Sequence, residues 1–194
     1  LLLKLTPTHL WAIRDYLDAP APDFRHCVVV GGEAFSDDLA RQYQALFPKA
    51  RLINEYGPTE TVVGCTVHEF DGREGLNDVP IGRPIRNVTL KLLNEAGQDA
   101  LPGQAGELLI GGAGVGIGYY GRTALTAERF ITLADGQRYY RSGDLARWSD
   151  EGQLLYQGRK DDQLKVRGYR IEPAEVEGPL RRIPGVTQAA VALA

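Results

Sequence analysis

The sequence predicts an α/β protein, and three observations lead to this fold class. Short apolar segments alternate with amphipathic helical segments in the first third of the chain. From about residue 67, short apolar segments separated by turn residues succeed one another, with only one helical segment between them. The chain has 194 residues, of which 43% are hydrophobic, so it can bury a core. We expect a parallel α/β layer followed by a small antiparallel sheet or barrel.

The first third contains three predicted strands joined by two predicted helices. The strands are the apolar runs at residues 1–5, 26–32 and 50–57. Thr8 and Ser36 are the predicted N-caps of the helices that come after the first and second strands. Strands joined by helices of this length favour a parallel sheet, and open α/β folds bind ligands at the carboxyl ends of such strands.

The rest of the chain changes character twice. The antiparallel part has four predicted strands, at residues 87–93, 106–112, 137–148 and 152–159. One short helix is predicted between the second and third of them, at residues 123–130. A densely charged stretch begins after Arg159, and Pro173 is predicted to open a helix that Gly178-Pro179 kinks or delays. We therefore divide the chain into three units, residues 1–66, 67–160 and 161–194.

Composition excludes several classes of protein. A net charge of −3 gives no electrostatic case for binding nucleic acid or an anionic membrane. No segment reaches the roughly 18 apolar residues of a membrane span, and the N-terminus has no secretion signal. Cys27 and Cys65 lie in apolar runs, which favours buried thiols of a cytoplasmic protein. The sequence has no methionine and ends on an apolar alternation, so we expect a segment of a larger chain.

The segment NEYGPTE, residues 54–60, has the composition of a nucleotide site. Gly57-Pro58 forces a sharp turn after a strand, which leaves Tyr56 to offer an aromatic face. Thr59 and Glu60 then point oxygens into the same crevice, where they suit a phosphate and Mg²⁺. The alternative is a plain turn, in which Thr59 and Glu60 only cap the next segment.

Other motifs are less specific when taken singly. Asp144 comes after Ser142-Gly143, so its carboxylate on a tight bend could accept two hydrogen bonds from a ribose diol, or could simply form a turn. The glycine-rich segment 106–122 lacks the strand-then-helix context of a phosphate loop and is interpreted as sheet backbone. The basic residues of the stretch 158–168 are largely balanced by its acidic ones.

Taken together, four motifs resemble one enzyme family. NEYGPTET, GELLIGGAGVGIGYYGR, YYRSGDLARW and GRKDDQLKVRGYRIEPAEVE have the order and approximate spacing of core motifs in adenylate-forming enzymes. They most resemble the adenylation domains of nonribosomal peptide synthetases, over essentially the whole chain. The resemblance implies the C-terminal part of the large adenylate-forming domain, with its α/β layer and small β-barrel, and the start of a small α+β C-terminal subdomain.

The resemblance also implies site residues for ATP and Mg²⁺. The aromatic ring of Tyr56 is expected to stack on adenine, Thr59 to reach the α-phosphate and Glu60 to hold Mg²⁺. Asp144 is expected to bind the ribose hydroxyls. The complete set of implied nucleotide-binding residues is Asn54, Glu55, Tyr56, Gly57, Pro58, Thr59, Asp144, Tyr156 and Arg159.

The implied reaction has two stages. A substrate carboxylate attacks the α-phosphorus of ATP, where positioning and charge neutralisation dominate catalysis. The acyl group then passes to the phosphopantetheine thiol of a peptidyl carrier domain, after rotation of the small subdomain about a hinge at Asp161. Lys165, Arg167 and Gly168 are expected to face that arm. Carrier and condensation domains of a multimodular synthetase are the implied partners.

The amino-acid pocket is also implied by the resemblance. Its lining positions are Lys4, Val29, Gly31, Glu55, Val63 and Gly64, a pattern similar to that for asparagine, with aspartate second. A buried Lys4 ammonium needs an acceptor, and Glu55 could pair with it and leave a polar floor that suits a carboxamide. The alternative is that Lys4 extends to solvent from an edge strand.

Two departures and two alternatives accompany the resemblance. In the first departure, Ile117 replaces an arginine that is usual in the family. In the second, three functional parts of the family lie outside these residues: the phosphate loop, the aspartate that binds the substrate's amino group, and the catalytic lysine. We therefore expect this segment alone to be inactive. The alternatives are a stand-alone acyl- or aryl-acid ligase of the same fold, or a non-catalytic module that binds a nucleotide or a partner.

Overall fold

A computed structural model describes residues 1–14, 16, 23–72, 77–161, 163–166 and 169–192. Within these residues, ten of the twelve strands form two five-stranded sheets. The strands of the first sheet, in spatial and chain order, are β1 (Leu2–Leu5), β2 (Cys27–Gly31), β3 (Arg51–Tyr56), β4 (Thr66–Glu69) and β5 (Arg83–Pro84).

The first sheet is parallel in its first half and antiparallel in its second. Strands β1, β2 and β3 pair in parallel, and helices α1 (Pro7–Arg14) and α2 (Asp37–Leu46) make the crossovers between them. Strands β4 and β5 continue the sheet in antiparallel pairing. The sheet therefore crosses the boundary expected between residues 66 and 67, and the division into three units stays a prediction.

The N-cap of α2 was predicted correctly, and that of α1 was not. Ser36 caps α2 as expected, because its side chain accepts a hydrogen bond from the Leu39 amide. The predicted cap at Thr8 is wrong, since α1 already begins at Pro7 and the Thr6 hydroxyl accepts from the His9 amide. Pro7 has a fixed φ and no amide donor, which makes the first helical position favourable for it.

The first core lies on one face of this sheet. Val28, Val30 and Leu52 are fully buried there, and they pack with Leu10 from α1 and Tyr43 from α2. The alternation of side chains along a strand places Val29 and Glu55 on the opposite face, which is only partly buried. One face of the sheet therefore builds the core, and the other presents polar groups.

The second sheet is antiparallel, as predicted. Its strands are β6 (Val88–Leu93), β7 (Gly106–Gly112), β8 (Phe130–Thr132), β9 (Arg138–Trp148) and β10 (Leu154–Arg159). They are ordered β10-β9-β7-β6, with β8 beside β9 and helix α3 (Thr123–Arg129) leading into β8. Within the described residues the two ends of this path, β6 and β10, do not pair, so the sheet is open rather than a closed barrel.

A second core joins the two sheets. Tyr56 and Cys65, from the end of the first sheet, pack with Leu108, Ile110 and Leu154 of the second. Gly82 forms a bridge with Leu154, which adds a backbone link between the sheets. The last residue of β3 is therefore fixed by the second sheet as well as by its own.

The described part of the last unit is a small hairpin and a helix. Strands β11 (Leu164–Val166) and β12 (Tyr169–Ile171) pair antiparallel, and helix α4 (Pro173–Leu180) comes next. The helix begins at Pro173 as predicted, but the late start at Gly178-Pro179 is wrong. Pro179 is the penultimate residue, and the helix ends directly after it.

Two further findings bear on composition. Cys27 and Cys65 are both free thiols. Cys65 is buried as predicted, whereas Cys27 is only partly buried. Among the described residues, the helices are too short or too polar to pass through a lipid bilayer.

The second core predicts a large effect of truncation at Leu108. This side chain is fully buried, so Leu108→Ala should lower the free energy of unfolding by about 2–5 kcal/mol through lost burial and a residual cavity. Urea denaturation measures the change. Leu101→Ala, at a loop position that is 71% exposed, is the matched control and should leave the midpoint nearly unchanged. Equal effects of the two substitutions would contradict this packing.

Candidate functional site

The turn after β3 is built around a glycine that no other residue could replace without distortion. A Cβ atom on Gly57 would lie 1.7 Å from the carbonyl oxygen of Val63. The Pro58 carbonyl accepts hydrogen bonds from the Thr61 and Val63 amides, which closes the turn over a 3-10 helix at Thr59–Thr61. Val62 and Val63 both have positive φ, a costly conformation for β-branched residues that the closed turn imposes.

The buried carboxylate of Asp144 is the centre of the candidate site. It lies in β9 next to Gly143, where a register shift against β7 and a φ of +73° form a β-bulge at the position of the predicted tight bend. The Tyr56 hydroxyl donates to its Oδ2 atom. Arg159 Nη1 donates to its Oδ1 atom at 3.0 Å, and the Tyr156 hydroxyl approaches the same oxygen at 3.4 Å. Residues from three strands and both sheets therefore meet at one carboxylate.

The electrostatics of this group keep its donors protonated. Burial raises the pKa of the Tyr56 hydroxyl well above its ordinary value, and the charge and hydrogen bond of Asp144 raise it further. Burial and the Asp144 charge likewise raise the pKa of Tyr156. The pKa of Arg159 is also raised, since its two carboxylate partners outweigh the effect of burial. Two phenol hydroxyls and one guanidinium thus act as donors to the Asp144 side chain.

A cleft of about 450 Å³ opens beside this group. Of the residues predicted to bind a nucleotide, six line it, namely Asn54, Glu55, Tyr56, Gly57, Tyr156 and Arg159. Asp144 is only 3% exposed and adjoins the cleft through the side chains that donate to it. The structure therefore brings together most of the predicted set, from segments that are far apart in sequence.

Asn54, which lines this cleft, has a structural role. Its buried side-chain amide donates to the backbone oxygens of Val79 and Pro80, at 3.0 and 2.9 Å. These bonds attach the loop before β5 to the end of β3. Asn54 thus shapes the cleft, with its amide hydrogens already used by the protein.

The sequence predicts that Thr59 and Glu60 share one crevice with Tyr56. In the structure they do not. They line a separate cavity of about 730 Å³, together with the glycine-rich segment before α3. Glu60 Oε1 accepts a hydrogen bond of 2.6 Å from the Tyr119 hydroxyl. The turn therefore presents its aromatic residue to one cavity and its hydroxyl and carboxylate to another.

The residues near Glu60 can supply only part of the ligand set of a Mg²⁺ ion. Among the described residues, no three His, Cys, Asp or Glu side chains cluster tightly enough to hold a metal alone. Mg²⁺ is commonly held by one or two carboxylates together with substrate phosphates and water. The single carboxylate of Glu60 is compatible with that donor set and insufficient for a resident metal.

Five of the six residues predicted to line the amino-acid pocket meet on the polar face of the first sheet, namely Lys4, Val29, Gly31, Glu55 and Gly64. Lys4 Nζ lies 2.5 Å from Glu55 Oε2, which is the predicted pair. The Lys4 side chain is 58% exposed, because β1 is an edge strand, so the ammonium is not buried. Val29 lies opposite Lys4, and Gly31 opposite Glu55, in the strand register.

Two glycines give Glu55 its space, Gly64 beside its carboxylate and Gly31 beside its backbone. A Cβ atom on Gly64 would lie 2.6 Å from Glu55 Oε1, and one on Gly31 would lie 2.6 Å from the Glu55 backbone oxygen. Val63, beside Gly64, is 46% exposed. The position of Glu55 thus depends on the absence of side chains on both neighbours.

The segment expected to form the hinge begins beside this site. Asp161 accepts two hydrogen bonds from Arg159, and Lys165 lies in β11. Arg167 and Gly168 lie outside the described residues. Sequence reasoning missed Tyr119 and Gln163. Tyr119 lies in the segment GIGYYGR and Gln163 in the segment GRKDDQLKVRG, which both belong to motifs of the resemblance, but neither residue has a distinctive signal of its own in the sequence. Gln163 lines the cleft.

Sequence comparisons show what the chain is similar to. The model of a family described as AMP-binding enzyme matches residues 2–120. Bacitracin synthase 3 of Bacillus licheniformis is 43% identical over 195 residues, which cover 98% of this chain and 3% of that protein. Tyrocidine synthase 3 of Brevibacillus parabrevis is 43% identical over 194 residues, which also cover 98% of this chain and 3% of that protein. The chain thus spans a small part of these relatives.

Solved structures agree with these matches. One is described as holo-PA1221, an NRPS protein containing adenylation and PCP domains, with a TM-score of 0.85, 34% identity, and coverage of 96% of this chain and 33% of that one. Another is the Vibrio cholerae adenylation domain AlmE in complex with glycyl-adenosine-5'-phosphate, with a TM-score of 0.86 and 34% identity. That match covers 97% of this chain and 37% of the other.

The turn geometry predicts that Gly57→Ala is destabilising. The new methyl group would collide with backbone atoms, so the substitution should lower the free energy of unfolding by roughly 1–3 kcal/mol or more. Gly178→Ala is the matched control, because nothing beyond its chain neighbours and the backbone of helix α4 itself lies within 4 Å of its Cβ position. It should raise stability slightly, by about 0.5–1 kcal/mol. Thermal denaturation of both variants measures this, and a neutral Gly57→Ala would contradict the closed turn.

Proposed function

The chain belongs to the family of AMP-binding enzymes, as a segment of a nonribosomal peptide synthetase adenylation domain, and from this premise we propose that it helps to activate an amino acid with ATP. The activity belongs to the intact domain, in the cytoplasm. The observation that carries the proposal is the Asp144 carboxylate beside a cleft lined by Tyr56, Tyr156 and Arg159.

The proposed nucleotide position is based on these groups. Adenosine occupies the cleft with its base against the tyrosine rings, whose centroids are 6.4 Å apart. The ribose diol donates to Asp144, a carboxylate that already accepts from three protein groups. Since a carboxylate has about four lone-pair sites, the diol must replace at least part of the present donor set. The long contact from Tyr156 is the first to yield.

Glu60 is the residue that we assign to Mg²⁺ in this reaction. When bound, Mg²⁺ supplies charge neutralisation on the phosphates. The Tyr119 hydroxyl orients the Glu60 carboxylate. Thr59 lines the same cavity, where its hydroxyl could donate to a phosphate oxygen. Because Tyr56 and Glu60 face different cavities of one turn, the base and the phosphates would lie on either side of Gly57-Pro58.

A polar amino acid is the proposed substrate, with asparagine first and aspartate second. The Lys4–Glu55 ion pair presents charge at the polar face, which disfavours an apolar acyl chain. Gly64 leaves room around the carboxylate, and Gly31 leaves room beside the Glu55 backbone. Glu55 accepts from the Lys4 ammonium, and the pair together offers both a donor and an acceptor to a carboxamide.

Transfer to a carrier domain is proposed by analogy with the neighbours. Two of the similar solved structures are described as containing adenylation and PCP domains. We propose that the aminoacyl group passes to a phosphopantetheine thiol on such a peptidyl carrier domain, with a condensation domain as a further neighbour. The unit from residue 161 would form the movable wall of the site, hinged at Asp161.

Substrate choice is tested by amino-acid-dependent exchange of pyrophosphate into ATP. The complete adenylation domain containing this segment should support exchange with asparagine, more weakly with aspartate, and least with leucine. The reason is the polar floor formed by the Lys4–Glu55 pair. Exchange with leucine or with an aryl acid, but with neither polar amino acid, would contradict the substrate assignment.

The ribose assignment is tested with Asp144→Asn. The amide keeps the shape of the side chain but loses the charge and one acceptor, so ATP affinity should fall about ten-fold or more. Asp150→Asn, on an exposed turn, is the control and should bind ATP normally. Isothermal titration calorimetry with ATP measures both. Unchanged affinity in a folded Asp144→Asn variant would refute the assignment.

A further inference from the structure

The Arg159 guanidinium is shared by two carboxylates. Its Nη1 atom donates to Asp144 Oδ1 at 3.0 Å, while Nε and Nη2 donate to the two oxygens of Asp161 at 2.6 and 2.7 Å. The Arg159 side chain is only 10% exposed, and that of Asp161 is 33% exposed. The two-point pairing with Asp161 fixes the plane of the guanidinium, because its donors form a rigid fork.

The surrounding backbone is shaped to hold this pair. A Cβ atom on Gly143 would lie 2.7 Å from Arg159 Nη2 and 2.9 Å from Asp161 Oδ2. The Lys160 amide donates to the Gly143 oxygen at 2.8 Å, which ties the chain between Arg159 and Asp161 to the bulge beside Asp144. The bulge thus both aims Asp144 and makes room for the second carboxylate.

We propose that Asp161 is a positioning residue of the nucleotide cleft, which holds Arg159 so that only one of its donors reaches Asp144. This inference rests on the proposed nucleotide site. Without the Asp161 carboxylate, the guanidinium is free to turn its two-donor edge onto Asp144. Asp144 would then be occupied by a tighter ion pair, against which ribose hydroxyls compete poorly. Asp161 therefore keeps Asp144 available, although it does not line the cleft itself.

The same contacts extend past Asp161 into the last unit. The Gln163 amide donates to Asp161 Oδ1 at 3.4 Å, and the Gln163 side chain donates to Glu172 just before α4. Gln163 Oε1 is buried without a hydrogen-bond partner, so this arrangement has an uncompensated cost. Coupling between two sites is reciprocal. A nucleotide that draws Asp144 away from Arg159 should strengthen the Arg159–Asp161 pair and stabilise this segment.

The test measures the affinity of the complete adenylation domain for unlabelled ATP by isothermal titration calorimetry, because a label on the ribose would block the hydroxyls that are proposed to bind Asp144. Asp161→Asn should weaken binding roughly five-fold or more, with an unchanged KM for the amino acid. Asp161→Glu should restore most of the affinity, because the two-point pairing remains available. Lys160→Gln is the matched control, since Lys160 pairs with Glu107 at 3.2 Å and not with the cleft, and should bind ATP normally.

A double-mutant comparison separates positioning from a merely structural role. Lysine cannot make the forked contact, so in an Arg159→Lys background Asp161→Asn should cause no further loss of ATP affinity. This comparison also holds if Asp161→Asn lowers the melting temperature. In addition, ATP should slow hydrogen exchange of the Gln163 amide in the unsubstituted protein and not in Asp161→Asn.

The outcomes distinguish this inference from the proposed function. No ATP binding by the unsubstituted domain would overturn both. Normal binding by that domain together with normal binding by Asp161→Asn would overturn the role of Asp161 alone. Equal further loss on adding Asp161→Asn to Arg159→Lys would overturn it as well, since the effect would then not pass through Arg159.

Discussion

The buried carboxylate of Asp144 is the constraint on which the rest of this structure depends. A carboxylate that is 3% exposed persists only when donors surround it, and here the donors come from Tyr56 of β3 and from Tyr156 and Arg159 of β10. Satisfying that charge fixes the end of the first sheet against the second. The same donors then form a wall of the 450 Å³ cleft. Stability and the proposed nucleotide site therefore draw on the same contacts.

The sequence was sufficient to predict the two kinds of sheet and seven of their ten strands, with β4, β5 and β8 missed. Period-two alternation and glycine turns are local signals, and Ser36 with its acidic neighbours marks a helix start directly. Local signals gave a wrong N-cap for α1, where two residues could serve as the cap. Thr6 and Thr8 are both good caps, and the position of Pro7 decided between them. The continuation of the first sheet into β4 and β5 depends on long-range pairing that no local pattern encodes.

The candidate site was predictable in its residues and not in its geometry. Motif resemblance named Tyr56, Asp144 and Arg159, and the fold brings them into contact. It did not indicate that the turn separates Tyr56 from Glu60, because the direction of each side chain depends on the closed backbone around Gly57. Tyr119 and Gln163 were missed for a related reason. The Tyr119 hydroxyl and the Gln163 amide can be assigned a role only once the fold shows that they donate to the carboxylates of Glu60 and Glu172.

The most direct measurement of the central claim is a crystal structure of the complete adenylation domain with a non-hydrolysable aminoacyl-adenylate analogue. The account predicts both ribose hydroxyls within hydrogen-bonding distance of the Asp144 carboxylate, the base against Tyr56 and Tyr156, and Arg159 still paired with Asp161. An analogue bound elsewhere, with the contacts of Asp144 to Tyr56 and Arg159 unchanged, would contradict it.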